Sequence, residues 1–190
     1  MTIPADRATS RTAVWNRLDA PGMDACRFAS GPEGWKIEGT SLFKTAGTAC
    51  MLRYEVSCGK DWSSRAVSVD GWIGEESFSL RMARSGPSGW RVNGRSADHI
   101  SALEDVDLGF TPATNTPAIR RLDLPLGEDV ETVAAWLDTA DWTVKPLRQI
   151  YRRKSETVLA YASPMHGYEA ELEIDRFGVV VEYPGLWTLA

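Results

Sequence analysis

Along most of the chain, apolar and polar residues alternate in short runs cut by Gly and Pro, the pattern of many antiparallel strands. The runs are Thr12 to Leu18, Asp24 to Ala29, Trp35 to Phe43, Thr48 to Ser57, Ser64 to Trp72, Ser77 to Ala83, Trp90 to Asn93 and Ile119 to Leu124. After Asp141 come Thr143 to Arg152, Thr157 to Ala162, Tyr168 to Ile174 and Gly178 to Tyr183. The clearest alternation sets Cys50, Leu52, Tyr54 and Val56 against Met51, Arg53, Glu55 and Ser57, so that strand has a wet side. Pro146 cannot donate to a ladder, which makes its run an edge, a bulge or two pieces.

One run follows a different period. In Glu128 to Asp138, Val130, Val133, Ala134 and Leu137 recur at helical spacing with acids in the first turn, which predicts an α-helix there. Many strands and one helix predict a mainly β fold: a many-stranded antiparallel β-barrel or strongly curved sheet, with the helix covering one opening or face. Residues 1–11 lack periodicity and read as a flexible tail, with 12–190 as a single barrel domain. An internal echo is present as well, since Gly31-Pro32-Glu33-Gly34-Trp35 returns 55 residues on as Gly86-Pro87-Ser88-Gly89-Trp90. The same offset carries Arg65 onto Arg120, which predicts either a duplicated strand unit or plain hairpin chemistry, Gly for the turn and Trp as anchor.

Composition narrows the function. With 190 residues, 43% of them hydrophobic, the chain can bury a core without staples. A net charge of -5 and no Lys/Arg run argue against a nucleic-acid partner, which needs a basic face. Cys26, Cys50 and Cys58 are odd in number and lack metal-ligand spacing, so buried thiols in a reducing, cytoplasmic setting are expected. No export signal or transmembrane run is read. The two histidines, His99 and His166, stand in unlike contexts, and no metal or cofactor is expected.

Charge concentrates between Asp105 and Arg121. If Asp105-Val106-Asp107 is extended, both carboxylates share one face, their Cα atoms about 6.6 Å apart. Thr, Pro and Asn then form a loop that is neither regular helix nor central strand. In a strand from Ile119, Arg120 and Arg121 point to opposite faces, so only one reaches the carboxylates. The bland reading is a buried Asp–Arg pair pinning a loop to the sheet, and the sharper one is contact with a polar head group. Eight tryptophans read mainly as core, Trp136 on the predicted helix, while Asp61-Trp62-Ser63-Ser64-Arg65 sets an aromatic face beside a cation. No common enzyme motif is present. A hydrolase using Asp105 and Asp107 is the weaker alternative, because neighbouring arginines would keep both acids ionised.

Asp105-Val106-Asp107-Leu108-Gly109, Thr111-Pro112, Thr114-Asn115-Thr116, Arg120-Arg121-Leu122, Gln149 with Tyr151, and Tyr183-Pro184-Gly185-Leu186-Trp187 together resemble a bacterial family of uncharacterised proteins described as glycolipid-binding. The resemblance runs from Trp15 to Trp187. It implies a many-stranded antiparallel barrel with one helix, likened to periplasmic lipoprotein carriers and mycobacterial lipid carriers, and a glycolipid or other amphiphilic small molecule as partner. It carries no binding residues over. The chain's own residues predict acyl chains inside the barrel and a head group among Trp62, Arg65, Asp105, Asp107, Asn115, Arg120 and Arg121, without catalysis. The rival is a structural or protein-interaction barrel filled by its own side chains, and an interior cavity above or below roughly 300 Å³ separates the two.

Overall fold

The computed structural model describes residues 10–86 and 89–190. Among them, fifteen strands form one sheet. In chain order they are β1 (Ser10–Arg17), β2 (Gly22–Gly31), β3 (Gly34–Thr45), β4 (Thr48–Cys58), β5 (Ser64–Ile73), β6 (Glu76–Arg84), β7 (Trp90–Val92), β8 (Arg95–Ser96), β9 (Asp105–Leu108), β10 (Asp129–Asp138), β11 (Thr143–Arg153), β12 (Val158–Ser163), β13 (Tyr168–Ile174), β14 (Val180–Tyr183) and β15 (Trp187–Leu189). Among the described residues a single α-helix, α1 (Asn115–Leu122), lies between β9 and β10. The first nine residues of the expected tail lie outside the described residues, and β1 begins at Ser10.

The chain makes two meanders joined where its first and last strands meet. Spatial order runs β8 back to β1, then β15 back to β9, with Trp15 of β1 opposite Leu189 of β15. Every pairing is antiparallel except β9 on β10. The ladder does not close, ending at β8 and β9. Yet the β9 edge reaches β5: Ser64 N–H donates to Glu104 O at 2.8 Å, and Val106 N–H donates to Ser64 Oγ at 3.2 Å. For these two strands to touch, the sheet must curl back on itself. Its inner face holds a continuous core that includes Trp15, Phe28, Ile37, Leu52, Val69, Trp90 and Leu172. The alternation of β4 is as expected, with Cys50, Leu52, Tyr54 and Val56 buried. Pro146 is an edge residue, opposite Ala135 on one side only, because β12 joins β11 from Ile150 onward.

Three sequence expectations are corrected. The run Glu128 to Asp138 is strand β10, not a helix. Its ten residues pair with β11 while its second half also takes β9, so both edges are occupied and apolar residues fall on both faces, which erases the two-residue alternation. Stiff β-branched Val130, Thr132 and Val133 favour this extended form. Trp136 accordingly sits on a strand. Second, the helix forms at Asn115–Leu122, where a loop and then a strand from Ile119 to Leu124 were expected. Pro117 stands in the first turn, where its missing N–H breaks no helical bond. Asp123 ends the helix in the left-handed conformation at φ 40°, its N–H on Ile119 O.

Third, the offset of 55 does not mark a duplicated strand unit, because Arg65 is on β5 and Arg120 on α1. What the two copies share among the described residues is a glycine at positive φ, Gly34 at 139° and Gly89 at 74°, each followed by a strand tryptophan. Cys26, Cys50 and Cys58 are free and buried, as expected. Among the described residues, no helix is long and apolar enough to cross a membrane.

Candidate functional site

The two aspartates of β9 have separate fates. Asp105 is 1% exposed, and its carboxylate receives Arg121 Nε at 2.9 Å and Arg121 Nη2 on its other oxygen. Arg121 also reaches Glu104 at 3.0 Å, and Thr132 lies 3.4 Å from Asp105. The clamp ties α1 to β9 and β10, which is the bland reading of the sequence. Successive helical residues are about 100° apart, so Arg120 turns away from the pair. Its guanidinium lies 5.6 Å from the Trp62 ring and 5.8 Å from Phe177. Trp62 is buried and stacks on Trp35 with ring centroids 4.4 Å apart. Arg65 is exposed on β5, 3.5 Å from Glu33 O. Arg120 thus meets Trp62, while Arg121 is engaged by Asp105 and Glu104.

Asp107 meets no arginine. Its Oδ2 accepts from Gln149 Nε2 at 2.8 Å, and Gln149 also donates to Tyr161 Oη at 3.1 Å. Burial pushes the Asp107 carboxyl up to about 6, the Gln149 amide pulls it part way back, and the charge on Asp105 adds to the rise. The expectation that arginines hold both acids ionised is thus corrected. Asp107 and Asn115 instead line a cavity of about 240 Å³ on the inner face of the sheet, together with Thr111, Trp136, Tyr161, Ser163, Tyr183 and Trp187. Gly109, His166 and Leu186 stand at its outer limit, each exposed or half-buried.

Local structure fixes these walls. Thr111 caps the turn Pro112–Thr114 by accepting Ala113 N–H at 3.1 Å, which delivers Asn115 to the start of α1. Asn115 is held from both ends: its Nδ2 donates to Pro112 O, and its Oδ1 accepts from Tyr151 Oη at 3.3 Å. Tyr161 packs against Tyr151, Tyr183 and Tyr168 with ring centroids 5.1, 5.8 and 6.2 Å away. β13 and β14 pair only at Glu173 and Ile174, so their other halves splay, bridged by Tyr168 Oη donating to Pro184 O at 2.9 Å. Ser163 is 4% exposed, and its Oγ has no hydrogen-bond partner.

A second polar cluster stands behind Thr111. Asp24 is wholly buried on β2; its Oδ2 accepts from Tyr54 Oη at 2.8 Å and from Thr111 Oγ1. Burial pushes its carboxyl up to about 7 against the pull of those two hydroxyls. Gly39 makes room for Tyr54, since a Cβ there would sit 2.5 Å from the phenol Cζ and hydroxyl and 2.8 Å from Ala25 O. Gly39→Ala is expected to displace the Tyr54 ring and cost about 1–3 kcal/mol of stability, read by urea unfolding. An unchanged midpoint would show that the ring shifts freely.

Gln149, Tyr161, Ser163, Tyr183, Trp187 and Asp24 were not read as site residues from the sequence. A signal existed in their parity: Gln149 falls between inward Leu147 and Tyr151, Ser163 follows inward Leu159 and Tyr161, and Asp24 precedes Cys26 and Phe28. Larger hollows exist elsewhere, but the one of about 540 Å³ on the outer face of β11 to β13 is lined by Asp129, Arg152, Lys154, Glu169 and Glu171 around a small apolar floor. No group of His, Cys, Asp and Glu suited to a metal ion occurs among the described residues.

Residues 12–188 match a family model described as "Putative glycolipid-binding". A crystal structure of a DUF1089 family protein from Pseudomonas aeruginosa superposes with a TM-score of 0.71 at 23% identity, covering 96% of this chain and 92% of that one. No curated protein matches the chain. The structural likeness concerns the fold.

Proposed function

The chain belongs to that family over nearly its whole length, and from this premise we propose that its inner-face cavity binds the polar head of a glycolipid or lipid-like amphiphile without catalysing a reaction. One observation carries the reading: motif segments far apart in sequence converge on this cavity. Asp107, Thr111 and Asn115 come from one stretch, Tyr183, Leu186 and Trp187 from the C-terminal one, and Gln149 and Tyr151 bond to Asp107 and Asn115. Aromatic rings beside a few convergent polar groups are what a small-molecule site requires. At about 240 Å³ the cavity takes a ring-sized head, whereas acyl chains would have to remain outside it. That revises the placement expected from the sequence and leaves Asp107 and Asn115 as the head-group residues among those named. The surrounding sheet acts as one barrel-like domain, and the three unpaired thiols suit a reducing cytoplasm.

The packed remainder of the inner face, together with a cavity that falls below the roughly 300 Å³ dividing a carrier from a filled barrel, supports a second reading, a structural or interaction protein whose interior is simply full. Fluorescence titration separates the two, because Trp136 and Trp187 line the cavity. Binding of an alkyl glycoside below its micelle concentration should change tryptophan emission saturably, and Leu186→Trp at the half-buried rim should weaken it at least tenfold. A flat titration, with no lipid retained in native mass spectra of protein from its own source, would favour the filled interior.

A further inference from the structure

The chemistry of the cavity wall says more about the head group than the family description does. Its polar groups are Asp107, Thr111, Asn115, Tyr161, Ser163, His166, Tyr168 and Tyr183, with no lysine or arginine among them. The arginines nearest in sequence are engaged elsewhere, Arg121 with Asp105 and Glu104, Arg120 over Trp62 and Phe177. Two atoms have unused capacity. Asp107 bonds Gln149 through Oδ2 and leaves Oδ1 to accept. Ser163 is over nine-tenths buried, lines the cavity and has no partner for its Oγ, a state that ordinarily costs the full desolvation of a hydroxyl. A ligand that satisfies both must donate to a carboxylate oxygen and also bond a hydroxyl, while its flat faces lie against Tyr161, Tyr183 and Trp187.

Resting on the proposed binding function, we propose that the head group is an uncharged, hydroxyl-bearing ring of the sugar type, bonded by Ser163 Oγ and Asp107 Oδ1, and that anionic heads are rejected. Phosphate and sulfate oxygens only accept when ionised, so they offer nothing to Asp107 and meet its like charge without a compensating cation. Rejection by an unpaired like charge is as much a part of specificity as the attractive contacts. A sugar hydroxyl donates and accepts at once, which fits both atoms.

The test compares n-octyl glucoside with n-octyl sulfate at pH 8, each below its micelle concentration, by fluorescence titration and calorimetry. The wild-type protein should bind the glucoside at least tenfold more tightly. Ser163→Ala should weaken the glucoside about five- to tenfold, the effect of one ordinary hydrogen bond, with an unchanged or slightly raised melting temperature because no internal bond is lost. Asp107→Asn should narrow the gap between the two amphiphiles. Equal binding of both amphiphiles by the wild-type protein, a measurement that needs no variant, would overturn the inference, as would a folded Ser163→Ala protein with wild-type glucoside affinity; the binding function itself would stand. If neither amphiphile binds the wild-type protein, that function falls and the inference with it.

Discussion

Arg121→Met is expected to destabilise the protein by about 3–5 kcal/mol, because it leaves the Asp105 carboxylate buried without its cation. Asp105→Asn should cost less, about 1–3 kcal/mol, since Arg121 keeps Glu104 at 3.0 Å and loses only part of its partners. The asymmetry follows from exposure: the Arg121 side chain is 18% exposed and that of Asp105 only 2%. Asp107→Asn, one face position further along β9, should instead stabilise the protein by up to about 3 kcal/mol at pH 7, because no cation is bound there and burial disfavours an ionised carboxyl that asparagine does not have. Urea unfolding of the three variants at pH 7 checks the order. A small effect for Arg121→Met would mean that the clamp does not hold α1 to the sheet.

Those neighbouring aspartates also show how far the sequence could be read. Two carboxylates on one strand face and two tandem arginines were legible, and so was the limit that one arginine at most could reach them. What decided their roles was the conformation between them. Thr111 and Thr114 turn the chain through their hydroxyls, Thr114 Oγ1 accepting Leu108 N–H at 3.0 Å, and Pro117 then falls where a helix tolerates it. Seen as residue types alone, Thr, Pro and Asn read as loop. With the helix in place the two arginines diverge by a helical step, one to Asp105 and the other to Trp62.

Strands with one wet face were readable almost to the residue, as β4 and β13 show, because period two survives when only one side is buried. β10 was not, since β9 and β11 flank it and apolar residues fill both faces, so Val130, Val133, Ala134 and Leu137 mimic a helical stripe. β9 and β15 are too short to show a period of their own. The cavity was hidden for another reason: its walls come from every strand from β9 to β15 and from α1, and only the curl of the sheet gives Asp107 and Tyr183 a common space. Polar residues at inward positions were the trace it left in the sequence.

Asp24 supplies the second large effect, and its sign runs opposite to that of an ion-paired carboxylate. In the unfolded chain an aspartate titrates near 3.9, whereas burial among Tyr54, Thr111 and Cys26 pushes Asp24 up to about 7. The folded state therefore holds a proton that the unfolded state has released between those two values. Stability from this group is complete below about pH 4 and is lost as pH rises to about 7, roughly 4 kcal/mol in total by linkage. Asp107 adds a smaller loss of the same sign that ends near its value of about 6. Asp24→Asn reproduces the protonated shape without titrating: its Oδ1 can accept from Tyr54 and Thr111 where the Asp24 Oδ2 now does. The variant should match or fall slightly below the wild-type protein at pH 4.5 and exceed it at pH 8, the difference moving by about 3 kcal/mol across that range. Urea unfolding in matched buffers reads the difference directly, with exposed carboxylates such as Asp141 cancelling between the two proteins. A difference that stays flat with pH would show that Asp24 is ionised in the fold and that Tyr54 and Thr111 alone hold its charge.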